Sequence, residues 1–129
     1  RNRRALWEKA QGFLRDPVQK RLWVRLLSSA PPGVEAGLTA LARYSALSAP
    51  ANTVYALDRK EWKELSLNGC KELPIAEQDA CQLEIWGYSP RLFSEDGVAD
   101  RFSLYLSLKN TDDERVESAL QEMIEVIRW

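Results

Sequence analysis

Cationic and aromatic side chains share the first 25 residues of the sequence in a pattern that suits phosphate and base contacts. Lys and Arg side chains neutralise phosphates, and aromatic rings stack on bases. The candidates for a nucleic-acid or partner surface are therefore Arg3, Arg4, Lys20, Arg21 and Arg25. A second interpretation is favoured, because helical spacing explains the same residues: two amphipathic helices would bury the aromatic rings and leave the cations in solvent.

Two aromatic residues form a second candidate surface near the middle of the chain. Trp86 and Tyr88 fall on the same side of the alternating segment "CQLEIWGY", opposite Cys81, Leu83 and Ile85. Exposed aromatic side chains that lie side by side often mark a partner or ligand contact. If helices cover both sides of the sheet, the same two residues belong to a second core layer, and this interpretation is the favoured one.

The sequence offers little for catalysis. It contains no histidine, the commonest general base and metal ligand near neutral pH. It also lacks a nucleophile elbow, a phosphate-binding loop and a dinucleotide fingerprint. Asp79 and Glu84 bracket a strand as in metal-dependent nucleases, but Trp86 stands where such sites usually place a lysine. We therefore predict a non-catalytic protein with no cofactor and no metal.

The two cysteines, Cys70 and Cys81, do not have the spacing of a zinc site. Low cysteine usage predicts reduced thiols and a cytoplasmic location, while a disulfide between the two remains an open alternative. No apolar run approaches the length of a membrane span, so no membrane partner is expected.

Charge is distributed unevenly along the 129 residues, although the net charge is −1. Residues 1–60 carry a net charge of +7, and residues 61–129 carry −8. Such asymmetry is typical of a face that meets nucleic acid or an acidic partner, or of two halves that attract each other within one fold. The length fits a single domain over residues 1–129. Because the chain begins at Arg1 and not Met, we expect it to be part of a longer protein.

Hydrophobic period, capping residues and chain breakers predict an α+β fold, in which a small sheet is covered by helices. The N-terminal segment is predicted to be helical, and two helices are predicted at the C-terminus. Asp58 with Glu61, and Thr111 with Glu114, have capping-box spacing, and Asp100 is a predicted N-cap. Residues 66–80 are predicted to be irregular. In chain order, the predicted elements are helices at 3–14, 17–29 and 35–47, a strand at 53–57, a helix at 58–65, a strand at 81–88, a helix at 101–109 and a helix after Thr111.

Most of residues 36–129 resembles the C-terminal domain of bacterial winged-helix, MarR-like transcriptional regulators. The segments that carry this resemblance are "AGLTALARYSAL", "VYAL" and the stretch from "CQLEIWGYSP" to the terminal Trp129, of which "VADRFSLYLSLKNTDDERVESAL" is the most specific. The resemblance implies a DNA-binding winged helix ahead of this sequence, and it implies no catalytic residues. "GLTALARYSAL" and "VYAL" are also similar to the antitoxin of AbiEi-type toxin–antitoxin systems.

The leading hypothesis is therefore a regulatory or association domain of a bacterial DNA-binding transcriptional regulator. In this hypothesis, DNA is bound by the absent N-terminal domain and the chain associates as a homodimer. One alternative is an antitoxin-type domain that binds a cognate toxin. Another is direct binding of nucleic acid through the basic N-terminal residues.

Overall fold

The computed structural model describes Ala5 and residues 15–126, which form an α+β fold with a five-stranded mixed sheet and four helices. The predicted helix at 3–14 lies outside the described residues, as do Arg3 and Arg4. The strands are β1 (Val18–Leu26), β2 (Val34–Glu35), β3 (Val54–Asp58), β4 (Cys70–Leu73) and β5 (Cys81–Trp86). The helices are α1 (Gly37–Arg43), α2 (Arg59–Asn68), α3 (Arg101–Leu108) and α4 (Glu114–Glu125).

The sheet has the strand order β2-β3-β5-β1-β4. β3 and β5 run parallel, with α2 and β4 between them in sequence, whereas the other neighbours are antiparallel. β5 and β1 are therefore interior strands, and β2 and β4 are the edges. None of the helices among the described residues is long and apolar enough to cross a membrane.

The prediction of a helix at 17–29 is wrong, because β1 occupies Val18–Leu26. The apolar residues of this segment fit both periods: Leu22 and Leu26 are spaced as on a helix, but Leu22, Val24 and Leu26 also alternate as on a strand. β1 pairs with β5 on one side and β4 on the other. Pairing on both sides satisfies its backbone groups, and tertiary context of this kind outweighs local helix propensity.

The prediction that residues 66–80 are irregular is also wrong in part. Helix α2 continues to Asn68, and Gly69 closes it by donating its backbone N–H to the Leu65 carbonyl oxygen over 2.8 Å. The chain then enters β4, which pairs with β1 at the edge of the sheet. A four-residue edge strand with two exposed charged residues gives only a weak sequence signal, since half of its positions face solvent.

Several predicted elements are confirmed. Strand β3 lies within one residue of the predicted strand at 53–57, and β5 covers most of 81–88. Asp58 and Glu61 form the predicted capping box, in which Asp58 Oδ1 accepts the Glu61 N–H over 2.8 Å. Asp100 caps α3 by accepting the Ser103 N–H over 3.0 Å. Helix α4 is present, but its N-cap is Asp113 and not Thr111, because the Asp113 carboxylate accepts the Arg115 N–H over 2.9 Å.

The sheet is covered on both faces. One face packs on α1, α3 and α4, and α4 buries its apolar side chains Val116, Ala119, Leu120, Met123 and Ile124 against it. The other face packs on α2 and contains Leu22, Val24, Leu57, Cys81, Leu83 and Ile85. A core on each side makes β5 a buried strand and not the half-buried strand that its alternation predicts.

Candidate functional site

A cleft of about 1120 Å³ opens where the end of β5, the loop after it and the start of α3 meet. Its walls carry arginines, carboxylates and aromatic rings, together with smaller polar and aliphatic side chains. The side chains that define its chemistry are Tyr44, Tyr88, Phe93, Glu95, Asp96 and Arg101. This volume is slightly larger than that of typical small-molecule sites, which is about 300–1,000 Å³.

A tight turn places two of the carboxylates on the cleft wall. Glu95 and Val98 exchange backbone hydrogen bonds, with N···O distances of 3.3 and 3.0 Å, so that Asp96 and Gly97 are the two central residues. Both have positive φ angles, 54° and 73°, as a type I′ turn requires. The Glu35 N–H also donates to the Gly97 carbonyl oxygen over 2.8 Å, which fastens the turn to β2.

Arg101 and Tyr44 form a stacked pair on the same wall. The Tyr44 hydroxyl donates to the Ala99 carbonyl oxygen over 2.8 Å, and this bond fixes the ring. The Arg101 guanidinium lies over the ring, 4.5 Å from its centroid. Burial raises the pKa of Tyr44, with nearby carboxylates adding to the effect and Arg101 opposing it. Tyr44 therefore stays uncharged near neutral pH and keeps its hydroxyl proton for the bond to Ala99.

Tyr88, two residues after the end of β5, also lines the cleft. Its hydroxyl is within hydrogen-bond distance of the Ser103 hydroxyl in α3, at 2.5 Å. Its ring meets the Trp86 ring edge to face, with 5.7 Å between centroids. Burial raises the pKa of Tyr88, so the phenol is neutral. The Tyr88 side chain is 37% exposed, and it contributes both an apolar ring and a hydroxyl to the wall of the cleft.

Trp86 does not form the partner surface that was one of its two interpretations, because it is completely buried. It belongs to the core beneath α1, α3 and α4, where its indole Nε1–H donates to Glu84 Oε1 over 3.1 Å. The second-core-layer interpretation is correct for Trp86. For Tyr88, which lines the cleft, the surface interpretation matches the position that the structure gives it.

The three candidate cations of β1 do not form one surface. Directly opposed residues share a face of the sheet, and Lys20 is opposite Ile85 whereas Arg21 is opposite Glu84. Lys20 therefore lies on the α2 face, and Arg21 and Arg25 lie on the other. Arg21 Nε is 3.4 Å from Glu84 Oε2, and Arg25 is ion-paired with Glu77.

Glu84 is an acid buried in the core, with 2% of its surface exposed. Burial raises the pKa of its carboxyl, while the Trp86 N–H and the Arg21 guanidinium oppose the shift and Asp16 adds to it. Its two named partners account for both carboxylate oxygens. The simplest role of Glu84 is to fix Trp86 and Arg21, and it does not line the cleft.

The two thiols are poor nucleophiles. Both cysteines are free, and they lie on different strands. Burial raises the pKa of Cys81 to about 11, and burial also raises the pKa of Cys70. Because the thiolate is the reactive form, neither side chain is activated for covalent chemistry near neutral pH. Within residues 15–126, the structure also contains no cluster of three or more acids and cysteines placed to hold a metal ion.

Arg101 and Tyr44 are not among the residues that the sequence predicts for binding. The Asp96-Gly97 pair and the Asp100 cap locate a turn and a helix start, which places Arg101 at the first position of α3. Its contact with Tyr44 joins α3 to the end of α1 across the fold. No local sequence pattern specifies that contact, so only the structure reveals it.

The fold and the cleft together define an α+β domain with a ligand-sized cleft at the end of its sheet. No protein-family model, curated protein or solved structure matches this chain. What the domain does must therefore be inferred from the chemistry of its own residues.

Proposed function

We propose that this chain is the non-catalytic regulatory domain of a bacterial DNA-binding transcriptional regulator, and that it senses a small molecule in the cleft. DNA would be bound by a winged helix outside this sequence, and two copies of the chain would associate. The cleft is the observation that carries the proposal, because it combines aromatic walls with a few fixed polar groups. That combination is typical of small-molecule sites.

The chemistry of the side chains favours sensing over catalysis. General acid–base work requires a group whose pKa lies near the working pH and which reaches the ligand. Tyr44 and Tyr88 line the cleft, but burial raises the pKa of both. The carboxyl of Glu84 is occupied by its partners in the core. The two tyrosine side chains can orient a ligand in the cleft, and they are poorly suited to moving its protons at neutral pH. Glu84 does not reach the cleft.

The connection of the cleft to three elements supports a regulatory role. Tyr44 follows α1, Tyr88 follows β5, and Arg101 begins α3. A ligand that contacts all three side chains would bind one arrangement of these elements more tightly than another. It would therefore shift the population of the protein toward that arrangement. Such a bias can be passed on to an attached DNA-binding domain or to a second copy.

The experiment that tests this function uses the natural protein, tagged at its C-terminus in its own cell. Crosslinked DNA is sequenced from one portion, and a nuclease-treated portion is weighed by intact-mass spectrometry. We expect a chain heavier than 14.8 kDa, its own copy as the main companion, and enrichment at discrete genomic sites. A chain of this mass that carries one stoichiometric foreign protein and no enriched DNA would instead favour the toxin-binding alternative.

One observation favours direct nucleic-acid binding as a second candidate function. The face of β1 that points away from α2 carries Arg21, Trp23 and Arg25. Lys71 of β4 is directly opposite Arg25 and lies on the same face. Three cations and an aromatic ring thus share one face at the edge of the sheet. Basic groups around an aromatic ring on a sheet are typical of single-strand binding. Glu84 and Glu77 neutralise two of the cations, which makes this the second candidate.

Charge reversal at Lys71 tests the second candidate. If the face binds single-stranded DNA, Lys71→Glu should lower the affinity several-fold at low salt and reduce the steepness of its salt dependence by about one phosphate contact. Filter binding of an oligonucleotide at several salt concentrations measures both quantities. Lys63→Glu, on the exposed side of α2, is the matched control. Binding that is absent, or that does not respond to salt, would exclude this function.

A further inference from the structure

We propose that the cleft binds a small organic anion that has one negative charge and an aromatic or other apolar body, and that Arg101 is the residue that holds its charged group. The inference rests on the cleft being the sensing site of the proposed function. It adds the chemical class of the ligand and the side chain that selects it.

Arg101 is placed to receive an anion. Its guanidinium lies over the Tyr44 ring at 4.5 Å, and the bond from Tyr44 to Ala99 holds that ring in place. A stacked guanidinium keeps its N–H groups in the plane, where a carboxylate or sulfonate can accept two of them. Stacking also lowers the entropy lost when the anion binds, since the side chain is already fixed.

Arg101 also differs from most other arginines of the described residues. Five of them have a carboxylate oxygen within 4.0 Å: Arg21, Arg25, Arg43, Arg91 and Arg115. Among residues 15–126, no carboxylate lies that close to Arg101, although acids line the same cleft. Arg43, the neighbouring arginine of the cleft, is held by Glu35 through two bonds of 2.8 and 2.9 Å. Arg101 is thus better placed than Arg43 to receive an incoming anion.

The apolar part of the cleft supplies a place for the body of the ligand. Phe93, which is 64% exposed, Phe102 and Tyr88 line it together with the buried Leu106. When an aromatic ligand packs against these rings, apolar surface of both the ligand and the protein is removed from water. This burial stabilises the complex by about 25 cal/mol per Å². An anion without an apolar body would leave Phe93 and Tyr88 exposed.

The carboxylates of the cleft limit the ligand to a single negative charge. Glu95 and Asp96 lie on the turn, and Asp16 and Asp100 line the cleft near the start of β1 and α3. Asp16 and Asp100 each accept a backbone N–H. A phosphorylated ligand or a nucleotide would place several negative charges among these acids, which disfavours it by like-charge repulsion. A monoanion can pair with Arg101 at a smaller cost.

Two fluorescent probes of the same shape test the inference on the full chain. Anilinonaphthalene sulfonate carries an aromatic body and one negative charge, and phenylnaphthylamine has the same rings without the charge. Arg101→Gln should weaken binding of the sulfonate by about tenfold, the typical loss of a charge-assisted pair, and change binding of the neutral probe by less than about twofold. Arg115→Gln, at the start of α4, is the matched control and should change neither.

A second variant has the opposite expected sign. Asp96 has a φ of 54°, a conformation that asparagine tolerates well, so Asp96→Asn should keep the turn. Removing its charge should strengthen binding of the sulfonate probe by about twofold to fivefold and leave the neutral probe unchanged. Adenosine triphosphate, added as a competitor, should displace the sulfonate only weakly.

The outcomes separate this inference from the proposed function. The inference is overturned if Arg101→Gln weakens both probes equally, weakens neither, or if neither probe binds the folded chain. Phenylacetate, an aromatic carboxylate with one negative charge, serves as the reference competitor. The inference is also overturned if adenosine triphosphate displaces the sulfonate as effectively as phenylacetate does. None of these results would alter the mass or the DNA enrichment of the natural protein, which test the regulator itself.

Discussion

Replacing Trp86 by alanine is expected to lower the free energy of unfolding by about 3–5 kcal/mol. The ring is completely buried in the core beneath α1, α3 and α4, so its removal leaves a cavity that the surrounding elements can fill only in part. The indole N–H is also a donor to the buried carboxyl of Glu84, and that bond is lost with the ring. Because small domains are stable by only about 5–15 kcal/mol, the variant should lose a large fraction of its stability.

Denaturant unfolding followed by circular dichroism measures this loss. Trp62→Ala is the matched control. Trp62 is only partly buried at the edge of the α2 core, so its replacement should lower the free energy of unfolding by less. Trp86→Phe separates the two contributions: it keeps most of the apolar volume but removes the donor to Glu84, and it should cost less than alanine does. A loss for Trp86→Ala no larger than that for Trp62→Ala would contradict the burial of Trp86.

The sequence predicts elements well where several local signals agree. Helix α4 has both an apolar stripe and acidic residues in its first turn, and the Asp58–Glu61 capping box fixes the start of α2. The prediction for β1 is wrong because its local signals do not agree on one type of element. "RLWVRLL" suits a helix and a strand equally, and what decides between them is pairing with β5 and β4, which lie far away in the sequence.

The candidate site shows the same division between local and distant information. Tyr88 can be selected from the sequence because it follows a strand that alternates. Trp86, two residues earlier, has the same sequence signal, yet the helices that cover it come from segments both before and after β5 in the sequence. Arg101 acquires its role from Tyr44, which no spacing connects to it. Contacts between distant segments, and not residue types, decide which of these side chains reach the cleft.

Removing the guanidinium of Arg21 is expected to destabilise the protein at neutral pH by about 1–3 kcal/mol, and by less at about pH 4. Arg21 Nε lies 3.4 Å from Glu84 Oε2, and Glu84 is buried. Without Arg21, the ionised carboxylate would keep only the Trp86 N–H and would face the charge of Asp16, which also raises its pKa. Because the Arg21 side chain is 43% exposed and is screened by water, the loss should lie toward the lower end of this range.

The dependence on pH follows from the raised pKa of Glu84. The native state keeps the proton to a higher pH than the unfolded chain does, so the contribution of Glu84 to stability is fully present below the unfolded pKa, which is about 4.3 for glutamate, and is lost as the pH rises through the folded pKa. Arg21 offsets that loss only where Glu84 is ionised. The cost of Arg21→Met should therefore grow from acid to neutral pH, and Glu84→Gln should remove most of this growth.

Urea unfolding of four proteins at about pH 4 and pH 7 completes the test: the parent chain, Arg21→Met, Glu84→Gln and the double variant. The coupling energy of the pair should be larger at the higher pH, since only the ionised carboxyl needs the guanidinium. Arg115→Met removes the same charge from the exposed start of α4 and should show no such difference. Coupling that is equally small at both pH values would mean that Glu84 stays protonated throughout. In that case Arg21 would be released from its ion pair and available to the nucleic-acid face that the second candidate function requires.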